Sequence, residues 1–108
     1  MATSTISRQS RHFVKSVRAN NSHTISIDLS DVYIGYGVEW VITGRKYQQN
    51  KVYGAIGVAG GSGGYSDAIV LSSANLGTVT ASLSDSVLTV SWTGDDVSYV
   101  ELSVLFNA

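Results

Sequence analysis

An all-β fold, an antiparallel β-sandwich of about eight strands with jelly-roll-like character, is predicted by three features of the sequence. Apolar residues recur at every second position in short segments rich in Val, Ile and Thr, the signature of strands with one dry and one wet face. Small polar residues and glycines punctuate these segments at the spacing of sandwich turns. Helical periodicity is missing, and the best helical candidate, Ser72 to Leu76, holds at most one turn.

The elements follow in order. A first strand is expected around His12 to Val17. Ser22 to Leu29 is the clearest, with Ile25, Ile27 and Leu29 on one face and Thr24, Ser26 and Asp28 on the other. Gly37 to Thr43 turns Val38, Trp40 and Ile42 inward and Glu39 and Thr43 outward, while Val41 interrupts the polar face. Val52 to Val58 is broken by glycines, which inside a strand mark a bulge or a close backbone approach. Ala59 to Gly64 reads as a flexible loop. Ala68 to Leu71 is a short apolar run without alternation, the pattern of a strand buried on both faces. Thr78, Thr80 and Ser82 then alternate with Val79, Ala81 and Leu83, and Leu88, Val90 and Trp92 with Thr89 and Ser91, across a tight turn at Ser84-Asp85-Ser86. Thr93-Gly94-Asp95-Asp96 reads as a further turn, after which Val100, Leu102, Val104 and Phe106 oppose Tyr99, Glu101 and Ser103. These last three strands are expected to form an antiparallel meander. The expected core is Ile25, Ile27, Val38, Trp40, Ile42, Val79, Leu88, Val90, Leu102 and Val104, with Val41, Val97 and some tyrosines left on otherwise polar faces.

A chain of 108 residues, 44% hydrophobic and 14% charged, is sized for one folded domain, placed at 11–108 behind a basic arm at 1–10. It contains no cysteine, which excludes disulfides, thiolate metal sites and thiol nucleophiles. The apolar runs are too short for a membrane helix, and Met1 to Ser10 lacks the apolar stretch of a signal peptide, so neither a membrane partner nor export is expected. Residues 1–20 hold Arg8, Arg11, Lys15 and Arg18 and no acid, whereas the remainder carries three bases against eight acids. That asymmetry marks these four cations as a candidate anchoring arm for an acidic neighbour, and the acidic body argues against nucleic acid.

Catalytic and cofactor motifs are missing. Gly64 is followed by Tyr65-Ser66-Asp67 rather than the Lys-Ser/Thr of a phosphate loop, and Gly54, Gly57 and Gly60 do not fit the dinucleotide spacing. Tyr33-Ile34-Gly35-Tyr36-Gly37 matches a potassium-filter string, which functions only between membrane helices. His12 and His23 lie at no metal-ligand spacing, and the adjacent Asp95 and Asp96 suit a turn better than a carboxylate pair. The expectation is a protein without catalytic residues, metal or cofactor. Tyr33 and Tyr36 in one turn, with Tyr65 and Asp67 after the glycines, are the candidate ligand or receptor contacts, because tyrosine offers a flat apolar face with a polar tip.

The run Gly77-Thr78-Val79-Thr80-Ala81-Ser82-Leu83-Ser84-Asp85-Ser86-Val87-Leu88-Thr89-Val90-Ser91-Trp92-Thr93-Gly94, followed by a strand to the chain end, resembles tailed-bacteriophage virion surface proteins. The likeness is to the β-rich knobs of tail fibres and to small head-decoration proteins, and in texture it covers residues 11–108. The resemblance implies a symmetric homo-oligomer, with a trimer favoured, in contact with other virion proteins. It also implies a place on the virion after synthesis in the host cytoplasm, and a role in capsid decoration or in attachment to a host glycan or protein. A start at Met1 favours a small separate virion component over the end of a long fibre. A carbohydrate-binding β-sandwich module is the alternative that the same strands and tyrosines allow.

Overall fold

A computed structural model describes residues 11–62 and 64–107. They form eight strands: β1 Arg11–Ser22, β2 Thr24–Asp28, β3 Val38–Arg45, β4 Val52–Ser62, β5 Tyr65–Ala74, β6 Val79–Ser84, β7 Val87–Trp92 and β8 Val97–Asn107. No helix occurs among the described residues, and so none long and apolar enough to cross a membrane. Every pairing is antiparallel, in a five-stranded sheet of order β1-β8-β3-β4-β5 and a three-stranded sheet of order β2-β7-β6. The first strand pairs with the last and the second with the next to last, the nested arrangement of a rolled-up hairpin. The division into five and three strands departs from two equal sheets.

Alternation builds the core. Val38, Trp40 and Ile42 of β3 lie in the five-stranded sheet beside Leu102 and Val104 of β8, and face Ile25, Ile27, Leu88 and Val90 of the other sheet. All nine are buried, and Val79 packs half-buried against them. The sandwich is closed along both sides. Lys15 Nζ donates to the Asp28 carbonyl at 2.7 Å, joining β1 to the end of β2, and Ser66 Oγ donates to the Leu83 carbonyl at 3.3 Å, joining β5 to β6.

The joint between β6 and β7 is a two-residue hairpin turn with Asp85 and Ser86 at φ 51° and 65°, the twist that matches right-handed strands. The predicted meander stops there. β8 does not continue beside β7 but crosses to the other sheet, between β1 and β3. The segment 93–96 is held at both ends rather than folded into a hairpin: Gly94 N–H donates to the Leu76 carbonyl at 2.9 Å, while Asp95 pairs with Lys46 at 3.1 Å and Asp96 with His23. Val97, expected on a polar face, is fully buried beneath Gly44, where an added Cβ would lie 2.7 Å from its Cγ1.

Two further expectations change. Of the stretch read as a loop, Ala59 to Ser62 is strand, because β4 runs to Ser62 and pairs through Gly60 opposite Asp67 and Gly61 opposite Ser66, while Gly63 lies outside the described residues. Gly60 belongs there because its backbone meets the preceding turn: a Cβ would sit 2.8 Å from Gly37 Cα and 3.0 Å from the Ile34 carbonyl. Ala68 to Leu71 is not buried on both faces either. β5 is an edge strand, and among the described residues nothing packs on its outer side, so Ile69 and Leu71 are 49% and 62% exposed. The glycine-interrupted strand behaves as expected, since the β4–β5 register slips between Ile56 and Gly57.

Candidate functional site

The connection between β2 and β3 shapes the end of the sandwich. Leu29 and Ile34 are buried and pin it down, and the Ile34 carbonyl accepts from Gly37 N–H at 3.0 Å and from Gly61 N–H at 3.2 Å. The turn is thereby tied to the β4–β5 hairpin. With Ile34 turned in, its neighbours turn out: Tyr33 and Tyr36 are 66% and 94% exposed, and their rings meet edge to face with centroids 5.5 Å apart. Gly35 leaves room for the Tyr33 ring to lie over it: a Cβ there would fall 2.3 Å from the Tyr33 hydroxyl and would push that exposed ring aside.

Between this turn and the sheet lies an open groove of about 730 Å³ bordered by Tyr33, Tyr36, Glu39, Asp67, Ile69 and Phe106. The fold therefore brings together three of the four expected contact residues. Tyr65 is exposed at the start of β5 opposite Ser62 and does not border the groove. Asp67 Oδ1 accepts the Ala68 N–H at 2.8 Å, which fixes its carboxylate at the rim. Sequence reasoning missed Glu39, Ile69 and Phe106 as groove residues. The outward phase of Glu39 was legible, but its closeness to the Tyr33 turn depends on how that turn folds back.

The basic segment is placed differently. Arg8 lies outside the described residues. Arg11 begins β1 opposite Asn107. Lys15 and Arg18, read as cations without a counter-acid, have one each: Lys15 Nζ lies 3.1 Å from Asp31 Oδ1, and Arg18 Nε lies 3.0 Å from Glu101 Oε2. Both are strand residues of the sandwich. The Ser30 N–H, donating to Asp28 Oδ1 at 2.8 Å, holds the Asp28 carboxyl below its usual value, with a smaller contribution from the Lys15 charge. Among the described residues no three His, Asp or Glu side chains gather into a metal-binding group.

The outer surface of the five-stranded sheet is more apolar than its sequence phase suggested. Cross-strand register aligns Phe13, Leu105, Glu39, Val58 and Ile69 in one outward row and Ser16, Ser103, Val41, Ile56 and Ser72 in the next. Arg18, Glu101, Thr43 and Gly54 follow, then Asn20, Tyr99, Arg45 and Val52. Val52 is 72% exposed, Phe13 63% and Ile56 46%. The groove sits on the first row, and a second hollow bordered by Arg18, Arg45, Val52 and Tyr99 sits on the last.

No protein-family model and no curated protein matches the chain. Among solved structures it is similar to the tailspike protein of Acinetobacter phage vB_ApiP_P1, with 12% identity and a TM-score of 0.44. The match covers 94% of this chain, which spans 22% of the length of that tailspike.

Proposed function

We propose that the chain is a non-enzymatic structural component of a phage particle, seated on a protein surface through the outward face of its five-stranded sheet and acting in decoration or stabilisation of the particle. The observation that carries this reading is the run of Phe13, Val41, Ile56, Val58, Ile69 and Leu105 across one face that no other described element covers. Contiguous apolar surface of this kind is what a protein contact buries. The Ser/Thr/Val strand texture, which resembles phage virion surface proteins, supplies the setting.

The test is occupancy on particles that lack the protein. Ile56→Asp places a charge in the middle of the face but leaves the core untouched, so the variant is expected to melt like the parent and to lose at least about tenfold in occupancy, equivalent to about 1.4 kcal/mol. Full occupancy by a folded Ile56→Asp variant overturns the reading. A second reading, attachment to a glycan, is favoured by the Tyr33–Tyr36 pair facing a groove rimmed by carboxylates. Loss of host-cell binding in Tyr33→Ala and Tyr36→Ala variants with unchanged occupancy selects it.

A further inference from the structure

We infer that the groove beside the Tyr33–Tyr36 turn takes the side chain of a lysine from the protein surface on which the sheet face sits. The inference rests on the structural reading above for the class of partner, and adds the chemical group by which that partner is recognised. The charged side chains along the groove are Glu39 and Asp67, and among the described residues no lysine or arginine borders it. Glu39 is engaged within the chain. Asp67 is bonded only to its own strand, Oδ1 accepting the Ala68 N–H at 2.8 Å, and among the described residues no cation pairs with it.

Two aromatic rings border the same groove as that carboxylate. Tyr33 and Tyr36 are inclined at 73° to each other and both are mostly exposed. A tyrosine face carries the negative part of the ring quadrupole and attracts a cation held within about 6 Å of its centre. Val58, Ile69 and Phe106 supply the apolar part of the border. Carboxylate, aromatic faces and apolar border together fit an alkyl ammonium, whose hydrocarbon stem leaves water while its charged head keeps polar partners. An anionic ligand would meet like charge at Asp67, and a purely apolar one would cover that carboxylate without answering it.

The state of Asp67 favours lysine over arginine. A guanidinium grips a carboxylate best through two parallel N–H bonds, one to each oxygen, and Oδ1 already serves the Ala68 N–H. An ammonium is a point donor and needs only the other oxygen. The position of the groove favours a protein over an amino sugar as the source. Val58 and Ile69, paired across β4 and β5, belong both to its border and to the apolar run proposed as the seat. A lysine projecting from the covered surface therefore enters the groove as the face is seated, its methylenes along Val58 and Ile69 and its ammonium at Asp67 and the tyrosines.

The experiment is an amide chemical-shift titration of the isotope-labelled full chain with Nα-acetyl-lysine methylamide and, in parallel, with its neutral Nε-acetylated form. The charged probe is expected to shift Tyr33, Tyr36, Asp67 and Ala68, to bind at least about fivefold tighter than the neutral one, and to weaken as salt rises. Asp67→Asn keeps an acceptor for the Ala68 N–H but removes the charge, and Tyr36→Ala removes a ring that is 94% exposed. Both variants are therefore expected to fold and to lose the preference for the charged probe. Equal binding of the two probes, shifts elsewhere on the chain, or a preference retained in Asp67→Asn overturns the inference. So does tighter binding of a methyl glucosaminide, which makes the amine a glycan's. Binding seen only after residues 1–10 are deleted also overturns it, because the occupant is then this chain's own basic segment. On particles lacking the protein, Asp67→Asn and Tyr36→Ala are each expected to lose at least about fivefold in occupancy. Full occupancy of both, with Ile56→Asp still losing it, removes the lysine and leaves the structural reading standing, whereas full occupancy of all three removes both.

Discussion

Replacing Trp40 with alanine is expected to destabilise the protein by about 3 to 5 kcal/mol, the range for removing a large aromatic from a packed interior. Trp40 is 0% exposed at the centre of β3, itself the central strand of the five-stranded sheet. Its indole also donates from Nε1 to the Val58 carbonyl at 3.3 Å. The substitution opens a cavity facing Leu88 and Val90 and leaves that carbonyl without its side-chain donor. Total stability of a domain of this size is about 5 to 15 kcal/mol, so the loss is a large share of it. At about 4 to 5 °C per kcal/mol, the low end of the range and the part that applies near 100 residues, the melting temperature should fall by on the order of 12 to 25 °C in a calorimetric scan. A fall of only a few degrees would mean that the two sheets do not close on Trp40.

Gly57→Ala is expected to cost about 3 kcal/mol, at the upper end for overpacking, although it adds a single methyl group. The added Cβ would lie 2.1 Å from the Ile69 carbonyl oxygen and 2.2 Å from Trp40 Cζ2. One obstacle is backbone in the neighbouring strand and the other is a ring locked in the core, so neither yields without shifting the β4–β5 bulge. Gly64→Ala is the control, since nothing lies within 4 Å of a Cβ there. Chemical denaturation should separate the two variants by a midpoint shift at Gly57 with the slope unchanged. Equal midpoints would remove the close approach of Trp40 to β4.

The positions of the strands were legible because alternation is a local property. Ile25 and Ile27, or Leu88 and Val90, declare their face within five residues, and each strand falls near its expected place. Which sheet a strand joins is decided elsewhere. Where β8 leaves β7, Asp95 and Asp96 pair with Lys46 and His23 and Val97 is buried under Gly44, contacts made between residues far apart in sequence. The run Ala68 to Leu71 shows the limit of pattern reading, since an apolar strand looks the same whether its outer face is covered by its own chain or left for another. The candidate site was half legible. Tyr33, Tyr36 and Asp67 stood out by residue type, but their convergence depends on the Ile34 carbonyl binding two glycine amides from different segments. The pairing of Arg18 with Glu101 across 83 positions could not be read from the local excess of bases.

The proposal that the outward sheet face is the contact surface of this protein is tested most directly by the occupancy of single charge variants on particles that lack it. The account predicts that Val41→Asp, Ile56→Asp and Val58→Asp each lose at least about tenfold in occupancy while still folding, and that Ser26→Asp and Thr80→Asp on the exposed side of the other sheet keep it. Full occupancy of all three folded outward-face variants, or a loss confined to the variants of the three-stranded sheet, would contradict it.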